Sequence, residues 1–207
     1  MIETYQDLAI KDGILVGRFE EMYQRFEDPW GQSNTRFTAL SYSNNALLLA
    51  LKRRGIRSVL EVGSGLGHLS NLIDRETKAR VVGLEISETA VKKAKKNFPE
   101  LEFFTGDATK LFNHSQAIEA FVFAEVTWFL LPGLKQLFQE MKERLSGRYF
   151  IQTLTFYGAE RQQYGREFFS SPEEFIKFCP FQLQEYSISE DVTDENPVKA
   201  TCMIFKI

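Results

Sequence analysis

Short apolar runs alternate with amphipathic stretches through the middle of the chain, and each run ends in turn-forming residues. Runs of this length and composition read as strands, with the stretches between them as helices. The pattern predicts strands over 58–62, 80–85, 101–105, 118–123, 147–154, 181–189 and 199–206. Helices are expected near 14–26, 40–54, 66–75, 87–96, 133–145 and 171–178. Ser87, followed by Ala90, Val91 and Ala94, marks a capped helix start. Strand and helix in alternation imply parallel βαβ units with helices on both faces, an α/β fold. The last two strands are separated only by the acidic stretch 190–198, too short for a crossover helix, so they should pair antiparallel.

The first strand opens into the most informative local pattern, Val59-Leu-Glu-Val-Gly-Ser-Gly-Leu-Gly-His68. Glycines at this strand-to-helix turn let the backbone approach a ligand closely, and the following helix offers free N–H groups to an anionic group. A dinucleotide fingerprint would put its third glycine where His68 stands; here it comes one residue early, at Gly67. With Glu61 two residues before Gly63, the pattern Glu-x-Gly-x-Gly-x-Gly resembles motif I of the class I S-adenosylmethionine (SAM) dependent methyltransferases.

Further segments match that family at its spacing. Arg80-Val-Val-Gly-Leu-Glu85 resembles the second strand, whose closing carboxylate accepts both ribose hydroxyls of the cofactor. Leu101 to Asp107-Ala108 resembles the third strand and the loop that meets adenine. Ala117 to Glu125 resembles the fourth strand and its substrate-facing loop. The resemblance implies a Rossmann-like, seven-stranded, mostly parallel sheet with an antiparallel last strand. It also implies SAM as cofactor, with S-adenosylhomocysteine (SAH) as product. The cofactor-binding candidates are Glu61, Gly63, Ser64, Gly65, Gly67, Glu85, Ile86, Asp107 and Ala108. Glu61 either holds the methionine ammonium or braces the glycine loop. Glu125 is the candidate catalytic group, needed as a base only if the acceptor arrives protonated.

The 207 residues suit a single domain, with residues 1–50 as an amino-terminal helical lid and 56–207 as the core. Within the lid, Tyr23 to Trp30, Tyr-x-x-x-Glu-Asp-Pro-Trp, resembles small-molecule methyltransferases akin to the nodulation-factor N-methyltransferases and, more distantly, the thiopurine methyltransferases. Tyr23 and Trp30 would then help close the cofactor pocket. Trp30 can lie over the cofactor or simply anchor the lid. The segment 155–172 is the second substrate-side element. It and the loop after the fourth strand supply Trp128, Tyr157, Tyr164 and Arg166 as candidates for the acceptor wall, against a plainer role in core or surface.

Charge and cysteine usage narrow the class. A net charge of −3 argues against a dedicated nucleic-acid binder. The basic cluster Lys92-Lys93-Ala-Lys95-Lys96 reads as a solvated helix face. Cys179 and Cys202 form no disulfide framework and no metal spacing, which fits a reducing cytoplasm. No stretch suits a membrane span or signal peptide. His68 reads as a helix-cap residue and His114 as a loop residue, so no metal is expected. The resulting expectation is methyl transfer to nitrogen or oxygen of a small-molecule acceptor, by a monomer or homodimer. An NAD-dependent oxidoreductase and a non-enzymatic binding module of the same fold are the rival readings.

Overall fold

The computed structural model describes residues 4–158 and 160–207; residues 1–3 of the expected lid and Ala159 of the 155–172 segment lie outside them. Its centre is a sheet built from β3 (Ser58–Val62), β4 (Arg80–Glu85), β5 (Glu102–Thr105), β6 (Ala120–Ala124), β7 (Tyr149–Phe156), β8 (Gln182–Glu190) and β9 (Lys199–Lys206). The spatial order is β5-β4-β3-β6-β7-β9-β8. The strands from β5 through β7 are parallel, and β9 runs antiparallel between β7 and β8. The expected α/β architecture with an antiparallel last strand is therefore present. Chain order reverses beside β3, whose neighbours are β4 on one side and β6 on the other. In open α/β sheets that switch point is where a ligand crevice forms, beyond the carboxyl ends of the strands.

Side-chain alternation divides the strands between two cores. Leu60, Val62, Leu84, Phe121 and Phe150 pack on one side with α6 (Leu134–Arg144) and α7 (Pro172–Phe178). Phe150 is met there by the rings of Phe123, Phe138, Phe181 and Phe205 at centroid distances of 5.1, 5.3, 5.5 and 5.8 Å. Val59, Val81, Val122 and Ile204 face the other way, onto α3 (Tyr42–Arg54) and α4 (His68–Thr77). Between β4 and β5, α5 (Glu88–Asn97) packs Val91 and Ala94 on Phe103. Ser87 caps it as expected, accepting from the Ala90 N–H.

The amino-terminal segment departs from the sequence reading. Instead of one helix over 14–26, it forms α1 (Tyr5–Ala9), a two-residue hairpin of β1 (Ile10–Lys11) and β2 (Ile14–Leu15), and α2 (Phe19–Arg25). Asp12 and Gly13 turn the hairpin with φ of +51° and +73°, and Gly17 at +69° separates it from α2, so no helix can run through. Strand β6 begins two residues later than expected because Ala117 adopts φ +60°.

Two contacts fasten α2 to α5. Glu20 accepts from Ser87 Oγ, Thr89 N and Thr89 Oγ1 at 2.7, 3.1 and 2.6 Å. Partial burial raises the Glu20 carboxyl, but these hydrogen bonds outweigh it and bring it down to about 2. At the other end, Lys93 Nζ donates to the carbonyls of Tyr23, Phe26 and Glu27. Lys93 is thus no member of a solvated face, unlike Lys92, which stays in water beside Glu88. It closes the carboxyl end of α2, where free carbonyls and the helix dipole favour a cation. Lys93→Met is expected to cost about 1 to 2 kcal/mol in urea unfolding and to speed amide exchange in α2 while β3 and β4 stay protected. Unchanged exchange in α2 would show that the clasp does not hold the lid.

Candidate active site

A cavity of about 590 Å³ opens beyond the carboxyl ends of β3, β4 and β6. This lies within the range of small-molecule sites. The strand ends bring to it Glu61, Gly63, Glu85, Ile86, Asp107, Ala108 and Glu125, all expected from the sequence. Tyr23 and Trp30 reach it from the lid. Gly63 adopts φ +76°, and a Cβ there would meet Val126 Cγ2 at 2.5 Å, so the loop passes the start of the next crossover only as glycine.

The glycine loop is braced by Glu85 and by the lid. Gly65 N donates to Glu85 Oε2 at 3.0 Å, while Ser87 N donates to Oε1 at 2.9 Å. Gln32 Oε1 accepts from Leu66 N at 2.7 Å, and a Cβ on Gly65 would lie 2.4 Å from that oxygen and 2.8 Å from the Tyr23 hydroxyl. Gln32 carried no signal in the sequence, being one polar residue in an irregular segment. Asp28 sets its place by accepting from Gln32 N and Ser33 N, both at 2.8 Å. Phe19, Phe37, Asn44 and Phe129 also line the cavity and were not singled out beforehand.

Glu61 does not brace the loop backbone. Its Oε2 accepts from Ser70 Oγ, one turn into α4. Burial pushes the Glu61 carboxyl up to about 8, with the neighbouring Glu85 charge adding to the rise. Burial likewise raises Glu85, against the pull of the Ser87 and Gly65 N–H groups. Asp107 differs because it is exposed at the rim and caps the 3-10 helix Ala108–His114 by accepting from Thr109 N and Oγ1. The Thr109 hydroxyl lowers its carboxyl.

Across the switch point, Glu125 sits at the end of β6 with φ +55°, a conformation that costs a non-glycine residue energy and persists only where its surroundings hold it. Thr155 N and Oγ1 hold it, donating to its two carboxylate oxygens at 2.9 and 3.1 Å. The carboxylate is exposed to the cavity, and the protein packed around its other sides strips water from it and raises it above the ordinary range. Tyr157 lines the same end; burial raises its hydroxyl, and the Glu125 charge adds to this.

Several candidates lie elsewhere. Ser64 Oγ is fully buried, has no hydrogen-bond partner, and points toward Gly83 rather than into the cavity. Gly65 and Gly67 stand behind the lining, Gly67 as the left-handed cap of α4. Of the proposed acceptor wall, Trp128 and Tyr157 reach the cavity, whereas Tyr164 and Arg166 do not. Trp128 is mainly a core residue, packed on Phe156 and Phe169. His68 forms no side-chain cap; its ring sets edge-on to Phe98 at 5.2 Å. His114 stacks on Phe104 at 4.1 Å. Trp30 lines the cavity and is anchored there by packing against Tyr5 and Phe129. Among the described residues no three His, Cys, Asp or Glu side chains gather at metal-holding distance, and no helix is long and apolar enough to cross a membrane.

The raised Glu61 carboxyl gives a pH dependence of definite sign. Between its ordinary 4.5 and about 8 the folded chain holds a proton that the unfolded chain has released. Stability therefore falls as pH rises through that window. Glu61→Gln keeps an acceptor for Ser70 and removes the titration. The variant should unfold several degrees above the parent at the alkaline end and lose this advantage at the acid end. Parallel melting curves for the two across that window would remove Glu61 as their cause.

Comparison with known proteins agrees with this geometry. The sequence profile of a family described as "Methyltransferase domain" matches residues 59–147. No characterised protein sequence matches the chain significantly. Among solved structures, the PH0226 protein from Pyrococcus horikoshii OT3 superposes with a TM-score of 0.70 at 19% identity, covering 91% of this chain and 99% of that one. The N-methyltransferase NodS from Bradyrhizobium japonicum WM9, solved with SAH, gives 0.64 at 15% identity over 90% and 97%. Geranyl diphosphate C-methyltransferase from Streptomyces coelicolor A3(2), solved with Mg2+, geranyl diphosphate and SAH, gives 0.56 at 12% identity over 78% and 77%. At these identities the likeness is one of fold. The segment that matches the methyltransferase domain, residues 59–147, carries the glycine pattern and its flanking acids Glu61, Glu85 and Asp107, and the sheet around it has the fold of these methyltransferase structures.

Proposed function

We propose that this enzyme methylates a nitrogen or oxygen atom of a small-molecule acceptor, and that Glu61, Glu85 and Asp107 form the cofactor half of its cavity. The observation that carries the assignment is the row of three carboxylates at the ends of β3, β4 and β5, beside a glycine loop held open by Glu85 and Gln32. That row suits a ligand rich in donors. Glu85 can accept ribose hydroxyls while keeping its backbone partners, because a carboxylate has about four acceptor sites. Glu61 would hold the methionine ammonium, whose charge would offset the burial of the carboxylate. Asp107, the Ala108 backbone and Ile86 would hold the adenine.

Bound SAM supplies a methyl group on a sulfonium, open to in-line displacement. The chain's own contribution is chiefly positioning, which converts two dissolved reactants into one aligned pair. Tyr23 and Trp30 close the cofactor side, and Trp30 with Phe129 and Phe19 keeps water from the reacting atoms. Glu125 stands at the acceptor end, fixed by Thr155, where it can orient an acceptor and take its proton. A small acceptor fits a cavity covered by a lid, and a cytoplasmic setting suits the two unpaired cysteines. We take residues 1–50 as the lid of a single domain, acting as a monomer or homodimer.

Calorimetric titration with SAM, SAH and NAD tests the assignment. Binding of the first two without NAD is expected, and binding of NAD alone would overturn it. Glu85→Gln should weaken SAM by about 1 to 3 kcal/mol, the cost of pairing buried donors poorly. Unchanged affinity would take Glu85 away from the ribose.

A further inference from the structure

The charge inventory of the cavity is one-sided. Four carboxylates line it, Glu61, Glu85, Asp107 and Glu125, and among the described residues no Lys, Arg or His side chain does. Three of the acids belong to the cofactor half proposed above. The fourth, Glu125, is left for the acceptor, so the inference rests on that division. An acceptor bearing a carboxylate or phosphate would enter this space against like charge, with no cationic side chain to meet it. Specificity of this kind comes as much from what is repelled as from what is held.

What surrounds Glu125 defines the favoured ligand. The Phe19 and Phe129 rings lie 5.1 Å apart between centroids, and Trp30 lies 5.6 Å from Phe129, so two lid residues and the ring four positions after Glu125 form a continuous aromatic wall of the same cavity. Aromatic faces attract cations and also shelter apolar groups. A fixed carboxylate beside such a wall makes a donor set for an ammonium. A neutral hydroxyl would gain only a hydrogen bond from it.

We propose that the acceptor is a primary or secondary amine, bound as its ammonium between Glu125 and the wall of Phe19, Trp30 and Phe129, on an apolar body without carboxylate or phosphate. The ammonium gives one proton to Glu125. Its freed lone pair takes the methyl group as the carbon–sulfur bond breaks, with that bond's electron pair staying on sulfur. The sulfonium becomes a thioether, and the methylated nitrogen carries the positive charge away. The cavity thus exchanges one cationic amine for another, and Glu125 returns its proton to water between turnovers.

The test uses the full chain saturated with SAH, so that binding of the acceptor is read without turnover. Matched ligands are then titrated by calorimetry: 2-phenylethylamine against 2-phenylethanol and phenylacetate, and tyramine against tyrosine. The amine of each set should bind about tenfold or more tightly than its partners, and in Glu125→Gln this preference over the alcohol should collapse. Equal or tighter binding of an alcohol or carboxylate, or no amine binding to the SAH complex, overturns the acceptor class while leaving the cofactor reading intact. Failure of SAH itself to bind is a separate result and overturns the cofactor half together with what rests on it. If the variant fails to fold, the matched ligands on the parent protein still decide.

Discussion

The Glu85 carboxylate holds together three parts of the site that are far apart in sequence. One oxygen takes the Gly65 N–H of the glycine loop, and the other takes the Ser87 N–H at the start of α5. Through Ser87 and Thr89 the same helix start holds Glu20 of the lid, and through Leu66 the same loop holds Gln32. Strand end, loop, helix and lid are thus joined by hydrogen bonds that converge within a few residues. The cavity is shaped before any ligand arrives, which spares binding the cost of ordering these groups.

That preorganisation carries an electrostatic cost. Glu61 and Glu85 are buried, among the described residues no cationic side chain lines the cavity beside them, and burial raises both, with the Glu85 charge adding to the rise of Glu61. Burying uncompensated acids destabilises a fold unless they are hydrogen-bonded, protonated or met by a ligand. Here Ser70, Gly65 and Ser87 supply partial compensation, and a cationic ligand would supply the rest. Such tension is usual at functional sites, where stability is given up for a poised group. The strained Glu125 backbone at the opposite end fits the same pattern.

Much of the core was legible because strong local signals and topology agreed. Strands 58–62, 80–85 and 199–206 match the structure residue for residue, since each is an apolar run with clear stops. The acids at strand ends were legible through the resemblance to the methyltransferase motifs, and a parallel sheet carries the end of each strand to the same rim. The lid was not. Its apolar content at 14–26 mimics a helix, while a two-residue hairpin and Gly17 divide it. Gln32 escaped notice because its role depends on a partner 34 positions away, the Leu66 amide, and no periodicity announces such a contact. Lys93 was misread for the opposite reason: a basic run looks solvated until a neighbouring helix end is seen beneath it. Tyr164 and Arg166 looked like acceptor contacts because the 155–172 segment is aromatic, yet much of that aromatic content is core. Phe169 there is buried against Trp128 and Phe175.

The claim on which the rest depends is that a cation relieves the buried acids. Calorimetry with S-adenosylmethionine at neutral pH, repeated in two buffers of different ionisation enthalpy, counts the protons exchanged on binding. Release of about one proton is expected, as Glu61 ionises beside the methionine ammonium. Binding without proton exchange, or with uptake, would contradict it.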